Sequence, residues 1–156
     1  MKKVLKFLVG ISLSLILVLT LTGCKKTALS PDDFKKTMES KEFEVIDTMD
    51  QMPEESIVTQ SYLALAPKSV YKIEYYKFSS EENAKNFYST NKKIFEASAG
   101  SVSGEAEVNL KNHSKYSLTS NKRFMVVSRI DDTAVYIDAD KEYKDTIKKI
   151  LKDIGY

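Results

Sequence analysis

Fifteen residues without a charge, FLVGISLSLILVLTL at positions 7–21, lie between three lysines (Lys2, Lys3, Lys6) and the only cysteine of the chain, Cys24. No other feature restricts the fold as much, because it separates a leader from the part that must build a core. As a helix the run rises roughly 22 Å, short of the ~30 Å hydrocarbon core of a bilayer. A positive start, a short apolar stretch and small residues at Thr22 and Gly23 together read as a secretory signal. Fold reasoning therefore begins after it.

Leu21-Thr22-Gly23-Cys24 resembles the lipobox of bacterial lipoprotein precursors: Leu, then a small or β-branched residue, then Gly or Ala, then Cys. The resemblance implies that the Cys24 thiol takes a diacylglycerol as a thioether. It also implies that a dedicated signal peptidase, recognising Leu21, Thr22 and Gly23, cuts after Gly23. The protein would then be held at the cell membrane on the extracytoplasmic side. A single acyl chain holds only marginally at about 0.8 kcal/mol per buried CH₂, and two or more hold firmly. The resemblance covers the first 24 residues alone, and it uses up the last thiol. The domain is thus expected to have no disulfide, no Cys nucleophile and no Cys-ligated metal.

The expected organisation is a signal peptide over 1–23, a short lipidated tether over 24–29 and one globular domain over 30–156. Of the chain's 24 basic residues 21 lie beyond position 23, against all 22 acidic ones, so the mature part is close to neutral. A domain without a basic excess lacks the electrostatic footprint of a phosphate-backbone binder, which argues against nucleic acid. Lys25, Lys26, Lys35 and Lys36 are nearest the lipid, and each lysine held close to anionic headgroups contributes about 1 kcal/mol.

Ser30-Pro31-Asp32-Asp33 has the order of a helix start, with Phe34 and Met38 as its inner stripe. Residues 43–47 read as a strand and 52–55 as a loop. Residues 57–65 and 70–78 form a hairpin across Ala66-Pro67-Lys68-Ser69. Ser79 and Glu82 stand at capping-box spacing before a second helix that runs to about Ala97. Residues 98–104, SAGSVSG, carry no charge and two of the three glycines beyond Cys24, and are expected to be a flexible crossover. Short strands are expected at 108–110 and 116–119, then a hairpin of 124–130 with 133–138. A last helix carries Tyr143, Ile147, Ile150, Leu151 and Ile154 on one stripe and stops at Gly155. The order predicts an α+β fold, an antiparallel sheet with about three helices covering one face or wrapping its ends. A hairpin followed by a helix occurs at 57–97 and again at 124–154, a pattern that raises a twofold pseudo-repeat.

Chemistry is sparse. Gly100, Gly104 and Gly155 make no phosphate-cradling loop, and no G-x-S-x-G, H-E-x-x-H or C-x-x-C occurs. His113, the only histidine, lies in the polar stretch NLKNHSKYS, read as an exposed turn. Asp138-Ala139-Asp140-Lys141-Glu142 opens like a calcium loop, but Tyr143 replaces the required Gly and Lys149 the bidentate Glu. No catalytic residue, metal ligand or cofactor is assigned. Of the two arginines, Arg123 and Arg129, the second stands out as a ligand candidate, because a guanidinium offers a planar fork for carboxylate or phosphate; a partner at Asp131, Asp132 or a neighbouring strand is the simpler fate. Nine tyrosines and no tryptophan suit a sugar or peptide groove, although most stand at core spacing. Two functions follow: a non-catalytic binding or accessory module of the envelope, contacting a protein, a cell-wall polymer or a small ligand; or a carboxylate-dependent envelope hydrolase using residues such as Asp131, Asp138 or Glu74.

Overall fold

The computed structural model describes residues 25–98 and 100–156, so Leu21, Thr22, Gly23 and Cys24 lie outside the described residues. Helix α1 (Pro31–Glu39) opens as its sequence dictates: the Ser30 hydroxyl accepts from the Asp33 N–H at 3.1 Å, and Pro31 takes the first helical position. Strands β1 (Glu44–Asp47), β2 (Val58–Leu65) and β3 (Lys72–Phe78) form a meander, followed by α2 (Glu81–Ser98). Strands β4 (Val102–Asn109), β5 (His113–Ser120), β6 (Arg123–Ile130) and β7 (Thr133–Asp140) form a second meander, followed by α3 (Lys144–Asp153). The result is α+β, a seven-stranded antiparallel sheet in the order β1-β2-β3-β7-β6-β5-β4 with three α-helices among the described residues. No described helix is long and apolar enough to cross a membrane.

The helices lie on both faces of the sheet, which differs from the expectation that they would cover one face or wrap its ends. On one face Phe34 and Met38 of α1 and Ile147 and Leu151 of α3 pack against Tyr75, Phe124, Val126 and Val135. On the other, Tyr88 and Phe95 of α2 pack against Tyr116, Leu118, Met125 and Val127. Strand β6 explains why. Its run FMVVSRI sends Phe124 and Val126 to one core and Met125 and Val127 to the other, the near-continuous apolar signature of a strand buried on both sides. Each hairpin is followed by a helix, but α2 and α3 lie on opposite faces.

Three further readings change. Of the stretch 98–104 expected as a crossover, Ser98 ends α2 and residues 102–104 are already strand, since β4 starts at Val102 and pairs with β5 from Val102↔Ser120 to Asn109↔Ser114. The α2 cap is Ser80, whose Oγ accepts from the Asn83 N–H at 3.2 Å; Ser79 Oγ instead accepts from the Asn83 side chain. Ordered contacts begin before Ser30. Lys26 Nζ donates to the Gly155 carbonyl at 2.8 Å, the Lys26 carbonyl accepts from Asn112 Nδ2 at 2.7 Å, and Leu29 accepts from the Tyr75 hydroxyl while packing on the core.

Candidate functional site

Arg129 leaves β6 toward the α2 face near the β4–β5 turn. Its cross-strand partner is Ser114, and the residue is only 3% exposed. The guanidinium donates three long hydrogen bonds to main-chain carbonyls, to Asn112 at 3.4 Å, Leu110 at 3.4 Å and Lys111 at 3.3 Å, and its Nε is buried with no partner. No carboxylate pairs with it among the described residues. Asp132 is engaged by Lys77 at 3.5 Å, and Asp131, in a positive-φ turn position, makes no ion pair with Arg129. Burial lowers the Arg129 pKa, and Glu81 and Asp131, acting at longer range, oppose that.

Arg129 forms part of a groove of about 600 Å³ that also holds Lys85, Tyr88, Asn109, Lys111 and Ser114, with Leu110 at its rim. No Asp or Glu lines it. Three cations and the Asn109 amide N–H suit a carboxylate or phosphate group, since a charge-assisted bond to an anion is about twice as strong as a neutral one; the Tyr88 and Ser114 hydroxyls already donate to Glu107 and Asn109. Leu110 is 53% exposed and adds apolar contact. Tyr88 is fixed by its hydroxyl bond to Glu107 at 3.1 Å; burial first, then that bond, raises its pKa. Lys92 donates to the other Glu107 oxygen at 2.6 Å, and this bond depresses the Glu107 pKa.

The acids named for the hydrolase reading separate. Glu74 and Asp138 line one groove of about 410 Å³ with Tyr76, Phe87 and Tyr136, whereas Asp131 sits at the far end of the β6–β7 hairpin. Glu74 is paired with Lys72 at 2.8 Å and accepts from the Tyr76 hydroxyl, and Asp138 is gripped by Arg123 at 2.6 Å. Among the described residues no group of three His, Cys, Asp or Glu side chains is placed to hold a metal.

His113 is buried at the start of β5 rather than exposed in a turn. Burial pushes its pKa down, and the positive charges of Lys26 and Arg129 add to that. Six of the nine tyrosines are buried, as core spacing implied, and Tyr76, Tyr136 and Tyr143 are half-buried.

Sequence reasoning missed Lys115. This lysine of β5 points to the face opposite Arg129, into a groove of about 460 Å³ with Lys26, Lys148, Lys152, Phe124 and Tyr156. Its Nζ donates to the main-chain oxygen of Tyr156 at 3.2 Å. Burial, with Lys26 and Lys148 nearby, pushes its pKa down to about 8. A signal for it was present in the alternation of β5, where Lys115, Ser117 and Thr119 mark a polar face that a covering helix would have made apolar.

No protein-family model matches the chain, and no curated protein sequence matches it. Among solved structures, one similar chain is described as a GTP binding regulator from Thermotoga maritima. It is 18% identical, aligned over 81% of this chain and 88% of that chain, with a TM-score of 0.44.

Proposed function

We propose that the protein is a lipid-anchored, extracytoplasmic lipoprotein of the bacterial cell envelope, acting as a non-catalytic module that binds an anionic group of an envelope protein, cell-wall polymer or small ligand. The lipobox Leu21-Thr22-Gly23-Cys24 supports the anchor. The observation that carries the binding role is the Arg129 groove: a buried guanidinium without a carboxylate partner, flanked by Lys85 and Lys111, with no acid in its lining. A buried cation is costly to leave uncompensated, and an anion entering the groove supplies the compensation. The rival reading, a carboxylate-dependent hydrolase, rests on the Glu74–Asp138 groove, where ion pairs occupy both carboxylates.

The test is nitrogen-resolved NMR of the arginine side chains in the full-length, detergent-solubilised protein, titrated with acetate and with inorganic phosphate. The Arg129 Nε–H should shift saturably with at least one anion, and Arg129→Lys should abolish the response while the chain stays folded. An Arg129 signal indifferent to both anions overturns the reading.

A further inference from the structure

A second groove, on the opposite face of the sheet, has a different lining. Lys26, Lys115, Lys148 and Lys152 converge there from the N-terminal segment, β5 and α3, with no Asp or Glu side chain in the lining. Cross-strand partners share a face, so Val108, opposite Lys115, and Ala106, opposite Ser117, extend the groove to the sheet edge as apolar surface; Val108 is 46% exposed. Lysines beside exposed apolar groups are the composition of a surface that lies on a charged bilayer. The chain itself sets the distance. Lys26 is pinned by Gly155 and Asn112, and Cys24 is two residues away, a reach of about 7 Å.

We infer that this groove is the seat of the domain on the membrane, and that its lysines bind the phosphate-bearing headgroups of acidic phospholipids beside the lipidated Cys24. The inference rests on the lipid-anchor reading. A partner on the Arg129 side would then meet the face of the sheet turned away from the groove, because Lys115 and Arg129 project to opposite sides of β5 and β6. Burial of the Lys115 amine beside Lys26 and Lys148 holds its pKa low, and an incoming phosphate would relieve that crowding of like charges.

The test uses the full chain reconstituted into vesicles of phosphatidylcholine, with or without phosphatidylglycerol, and probes each lysine by brief acetylation and mass spectrometry. Lys115, Lys148 and Lys152 should label several-fold more slowly when phosphatidylglycerol is present, while Lys85, on the opposite face of the sheet, remains unchanged. The pair Lys148→Glu and Lys152→Glu, both on the solvent side of α3, should return Lys115 to its phosphatidylcholine rate. Equal labelling in the two vesicles overturns the inference. So does equal protection by inorganic phosphate in phosphatidylcholine vesicles, which would make the groove a free-anion site. The intact mass reports the lipid on Cys24 separately, and an unlipidated chain that keeps its apolar leader still associates with both vesicles. Failure of the anchor is thereby distinguished from failure of the groove.

Discussion

At the scale of single residues, Lys115 is a penalty the fold carries. The folded state holds its pKa at about 8 against an ordinary 10.5, so the unfolded chain binds the extra proton between these values. By linkage the cost is fully present below about pH 8 and is relieved as pH rises toward 10.5. Lys115→Met is therefore expected to stabilise the protein at pH 7 by on the order of 1–3 kcal/mol, with the gain shrinking above pH 8. Urea melts of the two proteins across this range check it, and a gain independent of pH would assign the effect to packing instead. Comparing them at equal pH also cancels the tyrosines. Burial pushes Tyr116 up to about 12 and raises Tyr75 and Tyr156, so both proteins lose stability above pH 10 as the unfolded tyrosines ionise. Arg129 was legible from its rarity among 22 lysines. That its guanidinium meets carbonyls and no acid was not, since it depends on which turn the β4–β5 connection adopts. Lys26 was legible only as a charge near the lipid. Its bonds to Gly155 and Asn112 join positions 129 and 86 residues apart.

At the scale of elements, periodicity reveals a stripe and not the side of the sheet on which the stripe lands. The α3 positions Ile147, Ile150, Leu151 and Ile154 are all buried, so this helix belongs to the core. Ile147→Ala or Leu151→Ala is expected to cost roughly 2–5 kcal/mol through lost burial and the cavity left behind, and Ile147→Asp to prevent folding. Lys148→Ala should leave denaturant midpoints unchanged. The opposite pattern would detach α3 from the sheet. Of strand β4 only the end, within the strand expected at 108–110, was legible; its first part was illegible for a physical reason. An edge strand with neither face covered needs no alternation, and its residues Val102-Ser103-Gly104-Glu105 look like a linker until β5 pairs with them. His113 was misread for the related reason that a polar strand can be buried when both of its neighbours are strands. The clearer elements carried local signals: the Ser30-Pro31 start of α1, the alternating Tyr71, Ile73 and Tyr75, and the Asp131-Asp132 turn, where Asp131 takes φ 48°.

At the scale of the whole molecule, two meanders meet at β3 and β7, and helices above and below close the core without a disulfide. The anchor is expected to govern where this body resides. Cys24→Ala should accumulate as an uncut precursor lacking the lipid mass; mass spectrometry of the membrane fraction decides, and cleavage after Gly23 in that variant would remove the lipoprotein assignment. Folding of the domain should be indifferent to reductant, since no second cysteine exists to pair with Cys24.

The contact between Lys26 and Gly155 also has a practical consequence for anyone attaching a reporter to this protein. A fluorescent domain or affinity handle joined after Tyr156 would emerge beside Lys26 and be wedged between the groove and whatever faces it. The exposed loop around Pro53, Glu54 and Glu55 is the better insertion point. It lies at the β1 edge, five strand spacings or about 24 Å across the sheet from β5, where added mass would crowd neither chain end.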